Sequence, residues 1–87
     1  SAGSEYLMTT LNQPLFPEEI RCQGFSGTTD KRLAIVNNKT IEKGEEFDLT
    51  LKTGQRVHIR CLDVKEKVVI LEVNGVAKEL SLRASLQ

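Results

Sequence analysis

Aromatic residues, histidine and cysteine are scarce in this chain of 87 residues. It has no tryptophan, one tyrosine, three phenylalanines, one histidine and two cysteines. Domains that bind single-stranded nucleic acid stack bases on exposed aromatic side chains beside a basic groove, and this composition offers little of either. One histidine and two distant cysteines lack any recognised metal-ligand spacing, so the sequence predicts no metal site.

Net charge is absent as well, because 12 lysines and arginines balance 12 aspartates and glutamates. A nucleic-acid-binding domain usually carries a basic excess, since neutralising phosphates supplies most of its affinity. The balance therefore argues against RNA or DNA as the partner.

No stretch approaches the roughly 18 apolar residues of a membrane helix, and the N-terminus lacks the pattern of a signal peptide.

The length allows one domain with a small core, because a chain of this size buries only about 60–65% of the surface that its unfolded form exposes. Residues 1–19 are predicted to be a linker, or a tag and a linker, with a short helical turn over 4–11 that Pro14 and Pro17 end. Residues 20–87 then form the folded domain. We interpret Ser1 as an expression boundary, so the absence of an anchor or targeting signal from this sequence is not evidence about the native protein.

From residue 20 onward, apolar and polar side chains alternate with the period of two that is typical of half-buried β-strands. The alternating segments are 20–24, 47–51, 57–61 and 80–82. Continuous apolar runs at 33–36 and 68–73 predict strands that are covered on both faces. No helical period appears after residue 20, so the sequence predicts an all-β fold.

Turn signals separate these runs at Asn37-Asn38, Lys43-Gly44 and Asn74-Gly75, among others. Asn-Gly is the strongest short hairpin signal, because both central residues of a type I′ turn need a positive φ. Strands spaced about every ten residues indicate a small open β-barrel or sandwich of about six to seven short antiparallel strands.

Cys22 and Cys61 fall in phase with the apolar residues of their strands, so both should point inward. They are then either buried thiols that act as small hydrophobic side chains or a disulfide. A Cys22–Cys61 bond would close a long loop and contribute about 4 kcal/mol in the chain-entropy model, if the geometry permits it. The sequence leaves these two alternatives open.

His58 is expected on the outward face of its strand. A general base needs a nucleophile and an orienting partner within hydrogen-bond reach. Residue type alone makes Asp48, Asp63, Ser26 and Thr50 candidates, and a solvated surface histidine explains the pattern better. The sequence therefore predicts no catalytic residue and no cofactor.

The first strand, "IRCQGF" at residues 20–25, is expected at an edge of the open sheet. A sheet edge can accept a partner's strand through main-chain hydrogen bonds. Outward Arg21 and Gln23 would then meet polar side chains of the partner. The alternative is an edge that the N-terminal linker merely caps.

Several motifs follow one another in a distinctive order: Ala34-Ile35-Val36-Asn37, Lys43-Gly44-Glu45, Val57-His58-Ile59, Val69-Ile70-Leu71, Asn74-Gly75 and Leu80-Ser81-Leu82. Over residues 20–82 this order resembles the periplasmic homology-region domain of the type II secretion inner-membrane component C. It is also similar to the type IV pilus lipoprotein P and the related secretion component B. Glu45 stands where these families usually have aspartate, and the two cysteines are additional to their pattern.

This resemblance implies a non-enzymatic adaptor in the periplasm, held to the inner membrane by a preceding helix or lipid. Its expected partners are the N-terminal domains of the outer-membrane secretin and inner-membrane platform proteins. The docking edge would comprise Ile20, Arg21, Cys22, Gln23 and Gly24. Two alternatives remain: a cytoplasmic SH3-like or Sm-like barrel that binds RNA or a protein partner, and a fragment of an enzyme whose catalytic residues lie elsewhere.

Overall fold

The computed structural model describes residues 16–82, which form seven antiparallel β-strands in two sheets. The first sheet has the order β1 (Cys22–Gly27), β2 (Arg32–Val36), β3 (Lys39–Glu42). The second has the order β4 (Glu46–Thr50), β5 (Arg56–Val64), β6 (Val68–Val73), β7 (Val76–Ser81). The two sheets are compact and do not close into a barrel, which confirms the predicted fold class. The predicted helical turn at residues 4–11 lies outside the described residues.

Two tight turns connect the hairpins as predicted. Asn37 and Asn38 have φ values of 48° and 68° between β2 and β3, and Asn74 and Gly75 have 54° and 80° between β6 and β7. Consecutive positive φ values define type I′ turns, whose twist matches that of the flanking strands. Gly44, at φ 92°, bends the chain from β3 into β4, where Glu45 N–H donates to Glu42 O at 3.1 Å.

The core lies between the two sheets and is built from one face of each. Its buried side chains are Ile20, Cys22, Ala34, Val36, Ile41, Val57, Ile59, Cys61, Val64, Val69, Leu71 and Val73. The expectation that 33–36 and 68–73 are covered on both faces was wrong. Leu33, Ile35 and Ile70 are only half-buried, because no third layer covers the outer faces of the sheets in the part described.

A β-bulge interrupts β1. Cys22 pairs with Val36 and Gly24 pairs with Ile35, so Gln23 is an extra residue on the β1 side. The strict alternation predicted through Gly24 was therefore wrong. After the bulge it is Phe25, paired with Ala34, that packs against the core. A bulge of this kind bends and twists an edge strand.

Residues 16–21, which we call the N-terminal arm, lead into β1 and are fastened to two turns. Asn37 Nδ2 donates to Glu19 O at 3.0 Å, and Asn37 Oδ1 accepts from Arg21 N–H at 2.8 Å. The Glu19 carboxylate accepts a hydrogen bond from Lys52 N–H, with both oxygens at 3.0 Å. Phe16 packs against the core. The last residues of the predicted linker thus contact the domain.

Candidate functional site

The strands β1 and β7 each have one unpaired edge within residues 16–82. β1 pairs with β2 and β7 pairs with β6, and these strands end their respective sheets. The first strand therefore lies at a sheet edge, as its place in the sequence suggested. An unpaired edge presents main-chain donors and acceptors that another extended chain can bind.

A groove of about 510 Å³ separates these two edges. The N-terminal arm and Cys22 line one side, and residues 78–81 of β7 line the other. Lys78 Nζ lies 5.5 Å from the centre of the Phe16 ring, so a cation–π contact spans one end. A smaller groove of about 240 Å³ lies along Arg21, Cys22, Gln23 and Leu82. We call the two grooves together the seam.

On the β1 side of the seam, the main-chain groups of Cys22 point away from the sheet. The preceding residue, Arg21, uses both of its main-chain groups toward Asn37: its N–H donates to Asn37 Oδ1, and its carbonyl accepts from Asn37 N–H at 3.2 Å. Main-chain groups of successive residues alternate in direction across an antiparallel pair. The N–H and C=O of Cys22 are therefore directed into the seam.

On the β7 side, Glu79 and Ser81 direct their main-chain groups into the seam. The type I′ turn makes Val73 and Val76 a hydrogen-bonded pair. The alternation along the ladder then turns the main chains of Lys78 and Leu80 toward β6 and those of Glu79 and Ser81 outward. Both outward residues line the same groove as Cys22.

The structure distributes the five predicted docking residues unevenly. Ile20 and Cys22 are each only 3% exposed and form the base of the seam, while Arg21 is exposed on its rim. Gln23 is held by the Asn38 turn, since its Oε1 accepts from Asn38 N–H at 2.5 Å and its Nε2 donates to Asn38 Oδ1 at 3.2 Å. Gly24 follows the bulge and pairs with Ile35.

Both cysteines point inward as predicted, and both are free thiols. Cys22 Sγ lies 3.5 Å from Gly24 O and Cys61 Sγ lies 3.9 Å from Asp63 O, so each thiol faces a carbonyl of its own strand. The alternative of a Cys22–Cys61 disulfide is therefore not formed in this structure. Burial raises the pKa of the Cys22 thiol, and it raises that of Cys61 to about 11.

His58 lies outward on β5, as predicted, between two carboxylates of β4. Its Nδ1 lies 2.8 Å from Asp48 Oδ1 and its Nε2 lies 2.5 Å from Glu46 Oε1. The hydrogen bond to Asp48, and then the one to Glu46, raise the pKa of His58. When His58 is protonated, both ring nitrogens donate to these carboxylates, and the ring then has no lone pair with which to accept a proton.

The other residues considered as partners for His58 lie elsewhere. Thr50 stands opposite Arg56 at the far end of the β4–β5 pair, and Ser26 belongs to β1. Asp63 Oδ1 accepts a hydrogen bond from Val64 N–H at 2.8 Å. Only Asp48 is brought to His58, because the register of the β4–β5 pair sets the two residues opposite each other.

Residues 16–82 hold neither a cluster of metal ligands nor a membrane-spanning helix. No group of three or more histidine, cysteine, aspartate or glutamate side chains is arranged there to hold a metal ion. The same residues contain no helix long and apolar enough to cross a membrane. The seam is one place in the described fold where edge strands present unpaired main-chain groups, since β3 and β4 also end their sheets.

Comparison of the chain with protein-family models found no matching family. Searches among curated proteins and solved structures found no match either. The resemblance noted in the sequence thus stays a hypothesis, and the function has to be argued from the geometry of this chain.

Proposed function

We propose that this domain is a non-enzymatic adaptor that binds an extended segment of a protein partner at the edge of β1. The observation that carries the proposal is the open β1 edge, where the main-chain groups of Cys22 face a groove of about 510 Å³. Addition of a strand to such an edge is a common mode of peptide recognition.

The charges around the seam favour a protein over a nucleic acid. Its lining includes two acidic residues, Glu18 and Glu79, and two basic residues, Arg21 and Lys78. A polyanion would gain no net attraction from this balanced rim, since phosphate binding depends on an excess of positive charge. A small interface of mixed charge is typical of weak, transient association.

The sequence resemblance supplies the identity of the proposed partner. It points to the N-terminal periplasmic domains of the outer-membrane secretin in a type II secretion or type IV pilus machine, with platform proteins of the inner membrane as further partners. In this proposal the domain works in the periplasm, tethered to the inner membrane by a segment that precedes the chain described. The N-terminal arm would then connect the tether directly to the docking edge.

The test is an NMR titration of the isotopically labelled domain with the N-terminal domains of the secretin from the same organism. Chemical-shift changes are expected to concentrate on residues 20–25 and on β2, which lies beside them. The proposal is wrong if no shift appears at millimolar partner.

A second titration with single-stranded RNA serves as the control. Because the rim is charge-balanced, we expect no binding at physiological salt. Binding that falls steeply with added salt would instead support the RNA-binding alternative, since counterion release gives that signature.

A further inference from the structure

We propose that the partner segment inserts between β1 and β7 as an eighth strand, antiparallel to both, and so joins the two sheets along the seam. This inference rests on the proposed function and extends it. It makes β7 a second wall of the docking site, although the sequence pointed to the first strand alone.

The two walls of the seam run in the same direction. The larger groove brings Ile20 and Cys22 together with residues 78–81, and the smaller groove, further along, brings Gln23 together with Leu82. Residue numbers thus increase together along both walls. A segment running the opposite way can form antiparallel ladders with β1 and β7 at once, whereas direct pairing of β1 with β7 would be parallel and slightly less stable per residue.

The main-chain groups that no residue of 16–82 pairs suit an extended peptide on both sides of the seam. Cys22 on one wall, and Glu79 and Ser81 on the other, direct N–H and C=O groups into the same groove, as their ladders require. An extended chain carries alternating donors and acceptors on both of its edges, so it can satisfy both walls. Insertion also covers the edges of β1 and β7, and covering an edge is one way in which β-proteins avoid edge-to-edge association.

The lining of the seam defines the chemistry of the inserted segment. Buried Ile20 and Cys22 and half-buried Leu80 form an apolar base, so the partner's inward side chains should be apolar. The rim has balanced charge, so the alternate, outward side chains should be polar with little net charge. The bulge at Gln23 ends regular pairing on β1, which keeps the segment short.

The first test measures amide hydrogen exchange of the domain alone and in complex with the secretin domains. We expect the amides of Glu79 and Ser81 to become protected together with that of Cys22. Protection of Cys22 without Glu79 and Ser81 would reject the inference and leave the proposed function standing. Absence of protection at all three would reject both.

A matched pair of proline variants gives the second test. Ser81→Pro removes an outward N–H inside the seam, and Ala77→Pro removes an outward N–H of the same strand outside it. Both residues are exposed, and proline is tolerated at edge positions whose N–H faces solvent.

Loss of one main-chain hydrogen bond should weaken binding of the secretin domains by roughly 3- to 10-fold in Ser81→Pro and leave Ala77→Pro unchanged. Unchanged affinity in Ser81→Pro, or equal losses in both variants, would overturn the inference. The exchange experiment needs no substitution and decides the question if either proline prevents folding.

Discussion

The outer face of β4 and β5 and the seam between β1 and β7 differ in whether their polar groups already have partners. On the outer face, His58 lies between Glu46 and Asp48. Two neighbouring arginines form further ion pairs with carboxylates on this face. Arg56 Nη2 lies 3.3 Å from Asp48 Oδ2, and Arg60 Nη1 lies 3.5 Å from Glu72 Oε1. In the seam, main-chain groups of Cys22, Glu79 and Ser81 face an open groove.

This difference shows that the most conspicuous charged side chains in the sequence already have partners within the fold. The charged side chains of β4 and β5 are satisfied by one another across the ladder, and exposed pairs of this kind add little to stability. The groups that a partner can satisfy belong to the main chain at two sheet edges. Substitutions and thiol labelling can compare the stability and accessibility of the seam with those of the outer face of β4 and β5.

The largest effect is expected in the core beneath the charged face. Ile59 is fully buried on β5, so Ile59→Ala should lower the free energy of unfolding by about 2–5 kcal/mol through lost burial and a residual cavity. Leu80→Ala, at the half-buried wall of the seam, should cost clearly less. Urea unfolding measures both. Equal losses would mean that the seam is packed as tightly as the core.

The next effect concerns the far end of β1. Gly27 has φ 88°, and a Cβ there would lie 2.1 Å from Lys31 O, while Gly54 has φ 92° with no atom within 4 Å of the same position. Gly54→Ala should cost about 1–2 kcal/mol from the left-handed backbone alone. Gly27→Ala should cost about 1–3 kcal/mol more because of the clash. Thermal unfolding of the pair measures the difference, and equal stabilities would contradict this account.

Thiol labelling compares the two regions directly, because Cys22 lies at the base of the seam and Cys61 is a buried residue of β5. A maleimide should modify Cys22 several-fold faster than Cys61 in the folded protein, since Cys22 lines the seam and the pKa of Cys61 is raised to about 11. Peptide mass spectrometry after timed quenching measures the two rates. Faster labelling of Cys61 would contradict the described seam.

Unfolding the protein without reductant provides the control for this labelling. Both thiols should then react at similar rates, because the unfolded chain exposes both. Failure of either to react would reveal the Cys22–Cys61 disulfide.

The smallest effect is a dependence of stability on pH that arises from His58. Its pKa is raised above the ordinary 6.5 in the folded state, so its contribution is complete below that pH and is lost as the pH rises through the folded pKa. The hydrogen bonds from His58 lower the pKa values of Glu46 and Asp48. Their contribution is present above the ordinary values of 4.5 and 3.8 and is lost as the pH falls through the lowered ones.

Urea midpoints at about pH 6 and about pH 8 measure the histidine's share of this dependence. The wild type should be less stable at the higher pH, and His58→Gln should flatten the change. His58 is the only histidine, which makes the comparison specific. The same slope in both proteins would contradict the assignment.

Local chemistry predicted much of the fold. The turns at Asn37-Asn38 and Asn74-Gly75 follow from residues that tolerate positive φ, and the strands follow from alternation. The bulge at Gln23 was missed, although the neighbouring Gly24 is a residue type that often marks a bulge inside a strand. The Gln23 side chain is fixed by Asn38, which comes 15 residues later. Alternation alone could not show that the next side chain of β1 to face the core after Cys22 is that of Phe25, three residues later.

The candidate site was predicted only in part, for a similar reason. That the first strand is an edge could be inferred from its order in the chain. The second wall at Glu79 and Ser81 depends on how far the sheets curve toward each other, which is set by the whole core. The pairing of His58 with Asp48 likewise depends on the register of β4 and β5, and the loop between those strands gives no strong signal for it.

The fastening of the N-terminal arm has a mechanical consequence. Tension applied before Phe16 passes first to Glu19, which is bonded to Lys52 N–H and to Asn37 Nδ2, and then to Arg21, which is bonded to Asn37. Two separate turns therefore carry a pulling force before the β1–β2 ladder is loaded. A domain fastened in this way resists a pull at its N-terminal side while β1 stays in register with β2.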